Sequence, residues 1–501
     1  MVEASNDNVT ADTSTADRKR WLALYVLCGG LLMIVLDSTV VNVALPSIQD
    51  DLGFTQGNLA WVVNAYLIAF GGLLLLAGRL GDLIGQRRIF LIGLAIFTIA
   101  SALCAVAQTQ GMLIGARFVQ GAGGAIASSV ILGMIVMMFP EPREQAKAIG
   151  VFAFVASAGA SIGLLAGGIL TEAINWHWIF FINLPVGVIV AFAALRLVED
   201  RDGLGLEQGA DVPGAVLLTG GLMLFVYTLL ETGEQGWGST QTLLLGGVAI
   251  ALLVAFVVRQ ARIENPLMPL RLFRSRNVTG ANAVMGLLVV GFFGMFFMGA
   301  LYLQGILDYS PLGVGFAFLP SCIVMGTLSL RYAEQLIMGF GARNALITGL
   351  LFAGAGLLLF ARAPVDGSYV EHILPVMLLL GLGAGISFPA LMTLAMSGAT
   401  KSDSGLASGF VNTTTQVGGA VGLAVLATLA TTRTDALRAD GVAQDAALNS
   451  GYHLAFLVGA ALIGAAVLVA VFVVRPVMAA DVEEPDAEAG REGEAAYAEA
   501  A

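Results

Sequence analysis

Apolar runs long enough to cross a bilayer as a helix recur along this chain from Trp21 to Val474, and that recurrence decides what it can fold into. At 1.5 Å per residue, about 20 apolar residues cover the roughly 30 Å hydrocarbon core of a membrane. Only 12% of the residues are charged and 57% are hydrophobic, whereas a soluble chain is about 25% charged. There is too little polar surface to cover several soluble domains, and too much apolar surface for disorder. The 63 glycines suit close helix packing in a membrane. The chain reads as an all-α polytopic membrane protein.

Fourteen spans are expected, near 21–45, 58–78, 89–107, 111–137, 146–170, 178–198, 211–232, 241–258, 278–303, 312–330, 343–361, 372–396, 405–431 and 452–474. Lysine and arginine set their direction, because cytoplasmic loops hold an excess of both. With both termini in the cytoplasm, 20 of the 24 basic residues fall on the inner side. Only Arg362, Arg433 and Arg438 fall outside, and Arg117 lies within a span. One miscounted helix would invert every later loop.

The net charge of −11 reflects mainly the end of the chain, where residues from Ala479 onward carry eight acids and one base. Such a segment reads as a disordered, solvated tail. Nothing supports nucleic-acid binding. Cys28, Cys104 and Cys322 all fall in apolar runs and read as small buried residues, with no metal set and no disulfide. Trp21 follows a polar stretch and does not begin an ordinary cleavable signal peptide. The expected organisation is a cytoplasmic tail 1–20, a six-helix half 21–198, two extra spans with a basic linker 199–277, a second six-helix half 278–474, and the acidic cytoplasmic tail 475–501. The two halves share loop rhythm, and the inner loop Gly78–Arg88 has a weaker echo around Arg331–Arg343. Two such halves related by an axis along the membrane normal form a known transporter plan.

The loop reads Gly78-Arg79-Leu80-Gly81-Asp82-Leu83-Ile84-Gly85-Gln86-Arg87-Arg88. Its glycines permit a tight turn, and Asp82 can accept from a helix N-terminus or an arginine. This spacing resembles the loop signature of the major facilitator superfamily, with Leu83 and Gln86 where basic residues are common. The resemblance implies the major facilitator fold, with a clamp between the halves that uses Gly78, Arg79, Asp82, Gly85 and Arg87. Leu36–Pro46 resembles the first-helix motif of the drug:proton antiporters with fourteen spans. Arg117-Phe118-Val119-Gln120-Gly121 resembles their fourth-helix motif, linked to proton coupling, and Trp176–Gly187 resembles their entry to helix six, with His177 where arginine is usual. The run Gly159 to Gly168 resembles the antiporter signature of the fifth helix, with Gly159, Gly163, Gly167 and Gly168 kept for packing. Leu164 stands where that signature has a proline, so the proline kink is not expected.

Charges inside a membrane are costly and are candidates for function. Asp37 and Arg117 are the clear pair. Their depths from the outer ends of their spans, roughly 12 and 9 Å, allow one shared level. They either take part in proton coupling or substrate binding, together with Gln120, or form a structural bridge. Asn42, Asn64, Asn282, Asn412 and Gln416 either line the pathway or bond between helices. The aromatics Phe292, Phe293, Phe296, Phe297 and Tyr302 read as packing more than as drug contacts. His177, His372 and His453 are expected on outer loops.

The resemblance implies a proton-coupled exporter of hydrophobic or amphipathic drugs or antibiotics in the bacterial plasma membrane, a monomer needing no cofactor beyond the proton gradient. A major facilitator transporter of another small metabolite, by symport or uniport, is the alternative. An enzyme is not expected, since no nucleotide-binding loop, metal cluster or catalytic triad is apparent.

Overall fold

The computed structural model describes residues 3–139, 141–200, 203, 205, 210–236, 238–263, 266–268, 270–396 and 404–476; the acidic tail expected after Arg475 lies almost wholly outside them. Among these residues the chain forms seventeen α-helices. The first half contains α1 (Glu3–Leu52), α2 (Gln56–Leu59), α3 (Trp61–Ile84), α4 (Gln86–Ala105), α5 (Gln110–Met138), α6 (Pro142–Ala173), α7 (Trp178–Phe181) and α8 (Asn183–Leu197). A hairpin follows, α9 (Val212–Gln235) and α10 (Thr240–Gln260). The second half contains α11 (Arg276–Gly305), α12 (Pro311–Thr327), α13 (Ala333–Phe340), α14 (Ala342–Phe360), α15 (Leu374–Met396), α16 (Ser404–Ala439) and α17 (Gln444–Phe472).

Among the described residues, twelve helices are long and apolar enough to cross a membrane, and shorter apolar stretches lie in α6 (Ile162–Ala173) and α12 (Pro311–Thr327). By that measure the expected count of fourteen is not reached. The tenth expected span, 312–330, is short because α12 passes into a π-helical turn at Leu328–Tyr332, which hands over to α13. The expected first tail, 1–20, is helical from Glu3: α1 begins there and runs on through Pro46 to Leu52. His453 lies inside α17, its Nε2 2.8 Å from the Ala363 carbonyl, and so is not a loop residue.

Both halves use the same turn at corresponding places. Gly85 caps α4 with φ +113°, and Gly341 caps α14 with φ +80°. Both conformations lie where a Cβ is unfavourable, and they give the echo between the two loops its structural form. We call the end of the bundle that carries Gly85, Arg88, Arg259 and Arg343 the basic face. Ties there join helix ends within each half: Arg20 to Glu144 at 3.5 Å, Arg88 to Asp200 at 3.4 Å, and the Arg343 Nε to the Ala470 carbonyl at 3.0 Å.

The two halves meet along α6 with α12 and along α3 with α16. The glycines of α6 serve both neighbours. A Cβ on Gly159 would lie 3.0 Å from Val35, and one on Gly167 2.7 Å from the Val40 carbonyl, so this face presses on α1. A Cβ on Gly168 would lie 2.7 Å from Leu312 of α12, and one on Gly315 2.9 Å from the carbonyl of Leu164. Leu164 is buried within α6, which runs from Pro142 to Ala173 without interruption.

The second half is filled by aromatic rings. Phe360 stacks on Phe456 at 4.3 Å, the edge of Tyr302 meets Phe360 at 5.6 Å, and Phe296 meets Phe318 at 5.6 Å. Phe292 and Phe297 are buried, and the Tyr302 hydroxyl donates to the Pro364 carbonyl at 2.7 Å. Phe292, Phe297 and Tyr302 thus pack in the interior, while Phe293 and Phe296 are half-buried.

The hairpin is rooted at the basic face. Buried Asp211 caps α9 by accepting from the Gly214 N–H at 2.9 Å, and also accepts from Arg259 at 2.6 Å and Gln260 at 2.7 Å. Burial alone would raise its pKa, but these bonds and the guanidinium charge outweigh it and hold the carboxyl below the usual range. α9 leans on both halves: Tyr227 meets Trp61 of α3 at 6.4 Å, and Thr428 of α16 donates to the Leu229 carbonyl at 3.0 Å.

Candidate functional site

The sharpest polar feature lies inside the first half. α3, α4 and α5 approach closely because α5 carries glycine where they touch. A Cβ on Gly121 would lie 2.9 Å from the Tyr66 Cα, and one on Gly123 2.8 Å from the Phe97 Cα. One turn before these glycines, Arg117 and Gln120 project into a space closed by α1, α4 and the α7–α8 junction.

Arg117 donates through Nη1 to Asp37 Oδ2 at 2.6 Å and to Gln120 Oε1 at 2.7 Å, and through Nε to the Val62 carbonyl at 3.0 Å. Its guanidinium lies 4.3 Å from the centre of the Tyr66 ring and 5.7 Å from that of Phe180, so two aromatic faces share the charge. Asp37 Oδ1 accepts from Gln120 at 2.7 Å and from Asn183 at 2.8 Å. Ser101 accepts from Asn183 at 3.0 Å and from Gln120 at 3.1 Å, and donates to the Phe180 carbonyl at 3.0 Å. Asp37 and Arg117 are each 1% exposed. A buried ion pair persists only when its remaining donors and acceptors are satisfied, and this network satisfies the carboxylate with three donors.

The structure thus brings Asp37, Arg117 and Gln120 together. It adds Ser101, Asn183 and Tyr66, which reasoning from sequence did not single out. Asn183 sits inside the quoted run Trp176–Gly187, where its amide was available as a signal; Ser101 and Tyr66 sit in ordinary apolar helices and carried none. His177 lies on Trp176 with ring centres 3.8 Å apart, and burial lowers its pKa against the pull of Asp51.

The loop residues expected to clamp the halves are arranged differently from one another. Arg87 donates to the Leu195 carbonyl at 2.7 Å, within its own half, and Asp82 is exposed. The Leu83 carbonyl accepts from the Gly205 N–H of the linker at 3.0 Å. Among the described residues the loop is therefore tied to α8 and to the linker.

The five polar residues of the expected pathway separate. Asn42 is half-buried and bonds back to the Thr39 carbonyl at 3.3 Å. Asn282 donates to the Val278 carbonyl at 2.8 Å and accepts from Thr414 at 3.1 Å, joining α11 to α16. Asn412 is exposed. Asn64 is fully buried with neither amide atom paired, and the Gln416 Oε1 is likewise buried and unpaired.

A cavity of about 780 Å³ opens between the halves at the face opposite the basic one. Ser47, Asp50, Gln304, Thr431, Asp435 and Arg438 are among its lining residues. Its size is that of a drug-sized ligand site.

Among the described residues, an all-helical bundle of two matching halves, the first built around a buried ion pair, has the plan of a membrane transporter. The profile of the Major Facilitator Superfamily matches residues 27–423, and the chain belongs to that family. It is 40% identical to the puromycin resistance protein pur8 of Streptomyces alboniger, over 89% of this chain and 90% of that one. It is 38% identical to the cephamycin export protein CmcT of Amycolatopsis lactamdurans, over 85% and 87%. In fold it is similar to a bacterial homologue of the human lysosomal transporter Spinster, with TM-score 0.64, 14% identity and coverage of 90% of this chain and 96% of that chain. It is also similar to the nucleoside transporter NupG, with TM-score 0.62, 13% identity and coverage of 90% and 99%.

Proposed function

We propose that this chain exports amphipathic antibiotics in exchange for protons across a bacterial plasma membrane, as a monomer with both termini in the cytoplasm. Membership of the family and the resistance and export proteins among its relatives support the export of drugs. The basic face, gathering most of the lysine and arginine, supports a cytoplasmic orientation for that face. Fourteen crossings belong to the proposal, with α6 and α12 completing the twelve longer helices; the 32-residue length of α6 supports this.

The observation that carries the proton coupling is the network around Asp37. Its Oδ1 already accepts two bonds, so a proton arriving on the carboxyl goes to Oδ2, which faces the Arg117 Nη1. A protonated Oδ2 can still accept a hydrogen bond, but it no longer carries the charge that holds the guanidinium, so the proton and the Asp37–Arg117 ion pair exclude each other. Protonation removes the ion pair that joins α1 to α5 and leaves Arg117 on Gln120 and Val62. Release of the proton restores it. Drug occupancy that favours one arrangement of these helices then competes with the proton, as exchange requires.

Purified protein in vesicles, with proton and drug flux measured together, tests this. Asp37→Asn keeps the shape and removes the titration, so uphill drug movement should stop while downhill exchange continues. If Asp37→Asn still drives uphill export with protons, the assignment fails.

A further inference from the structure

α3 and α16 run antiparallel where the halves meet: Gly71 packs on Gln416 and Val417, and Leu75 lies against Gly409. Asn64 precedes Gly71 by two helical turns and so shares its face toward α16. Thr413 precedes Gln416 by three residues and shares its face toward α3. α9 of the hairpin closes the same seam, with Thr219 packed on Gly72.

Each of these side chains carries a buried polar atom without a partner. Both amide atoms of Asn64, the Thr219 and Thr413 hydroxyls and the Gln416 Oε1 are buried without a hydrogen-bond partner. Asn64, Thr413 and Thr219 are 0%, 6% and 8% exposed. Buried polar groups are almost always satisfied, and leaving one unmade is costly. Five unpaired atoms from three helices on one seam therefore mark a surface whose partners arrive from outside the protein. No charged residue stands in the facing stretches 61–78 of α3, 212–230 of α9 and 404–432 of α16.

We propose that the seam between α3, α9 and α16 is a binding surface for uncharged hydroxyl and amide groups of the transported compound, reached when the seam parts, with Asn64, Thr219, Thr413 and Gln416 as its donors and acceptors. The proposal rests on the export reading and deepens it: it names the polar part of the substrate and gives the extra hairpin a residue in recognition. The neutral lining selects compounds by hydroxyls and amides. A lipophilic cation without hydrogen-bonding groups gains nothing from these four residues.

The test uses the full chain in vesicles with puromycin, lincomycin and a cephamycin as probes. Asn64→Leu, Thr219→Val, Thr413→Val and Gln416→Met each keep volume and remove the polar group. KM for at least one exported probe should rise about fivefold or more, the loss of one hydrogen bond, with the maximal rate kept. The melting temperature of the purified variants should hold or rise, because each loses an unpaired polar group. An unchanged KM in all four variants overturns the seam while the export reading stands. A fall in melting temperature that tracks the loss of transport also overturns it, since the groups then serve the fold. A wild-type protein that moves none of the three probes overturns the export reading, and the seam proposal with it.

Discussion

The two halves repeat one backbone plan but fill it with different chemistry. In the first half, α1, α3, α4, α5, α7 and α8 converge on the network of Asp37 and Arg117, and the interior is wired by charge and amide bonds. In the second half, Phe360, Phe456, Phe318 and Tyr302 pack the interior, and the Tyr302 hydroxyl donates to the Pro364 carbonyl. The difference teaches that the repeat conserves helix geometry, not chemistry. The buried ion pair stands in the first half, and aromatic rings pack the interior of the second.

The contrast breaks most visibly at Arg117. Arg117→Ala leaves Asp37 buried without its counter-charge, which costs about 3–5 kcal/mol. Thermal unfolding should show that loss together with loss of uphill export. Replacing Asp37 and Arg117 together with leucine and methionine should recover the stability but not the proton coupling; recovery of both would reduce the pair to a structural bridge.

The counterpart in the second half is Phe360→Ala, which opens a cavity between Phe456 and Tyr302 and should cost about 3 kcal/mol. The number of protons exchanged per drug should be unchanged. A shifted ratio would mean that coupling extends into the aromatic half.

Between the halves, Gly167→Ala sets a methyl group against the Val40 carbonyl and should destabilise by about 1–3 kcal/mol, read as a lower melting temperature with slower transport.

At the hairpin root, Asp211→Asn should cost about 1–2 kcal/mol at neutral pH, the loss of charge-assisted bonds. The carboxyl is held below its usual value, so its contribution is full above about pH 4, the unfolded value, and disappears as the pH falls through the lower folded one. Acid melting curves of wild type and Asp211→Asn should converge there.

The smallest expected effect on stability is at Asp82, which is exposed. Asp82→Asn should melt with the wild type yet transport more slowly, if the clamp forms in another state of the cycle. Equal rates would leave the loop a turn alone.

Much of this was legible in the sequence. Apolar length marked the helices, and the scarcity of charge inside them singled out Asp37 and Arg117, because a lone charge in a membrane carries a heavy cost. Gly85 and its echo at Gly341 were legible as turns. The rest depends on where helices meet. Ser101 and Asn183 matter because three-dimensional packing puts them against one carboxylate, and a hydroxyl in an apolar helix has no sequence mark of its own. The break of α12 at Leu328 and the start of α1 at Glu3 escaped because hydropathy records apolar length and not where the backbone ladder changes pitch. The pairing state of Asn64 was equally hidden, since an amide in a helix reads alike whether it bonds to a neighbour or to nothing.

The position of α9 has a consequence for compounds dissolved in the bilayer. By resting on both α3 and α16, it puts a protein wall between the lipid tails and one of the two lines along which the halves meet. The described helices set no such wall beside α6 and α12. To a lipophilic molecule diffusing in the membrane plane the two lines are therefore unequal: one is covered by α9, and beside the other, along α6 and α12, stands no further described helix.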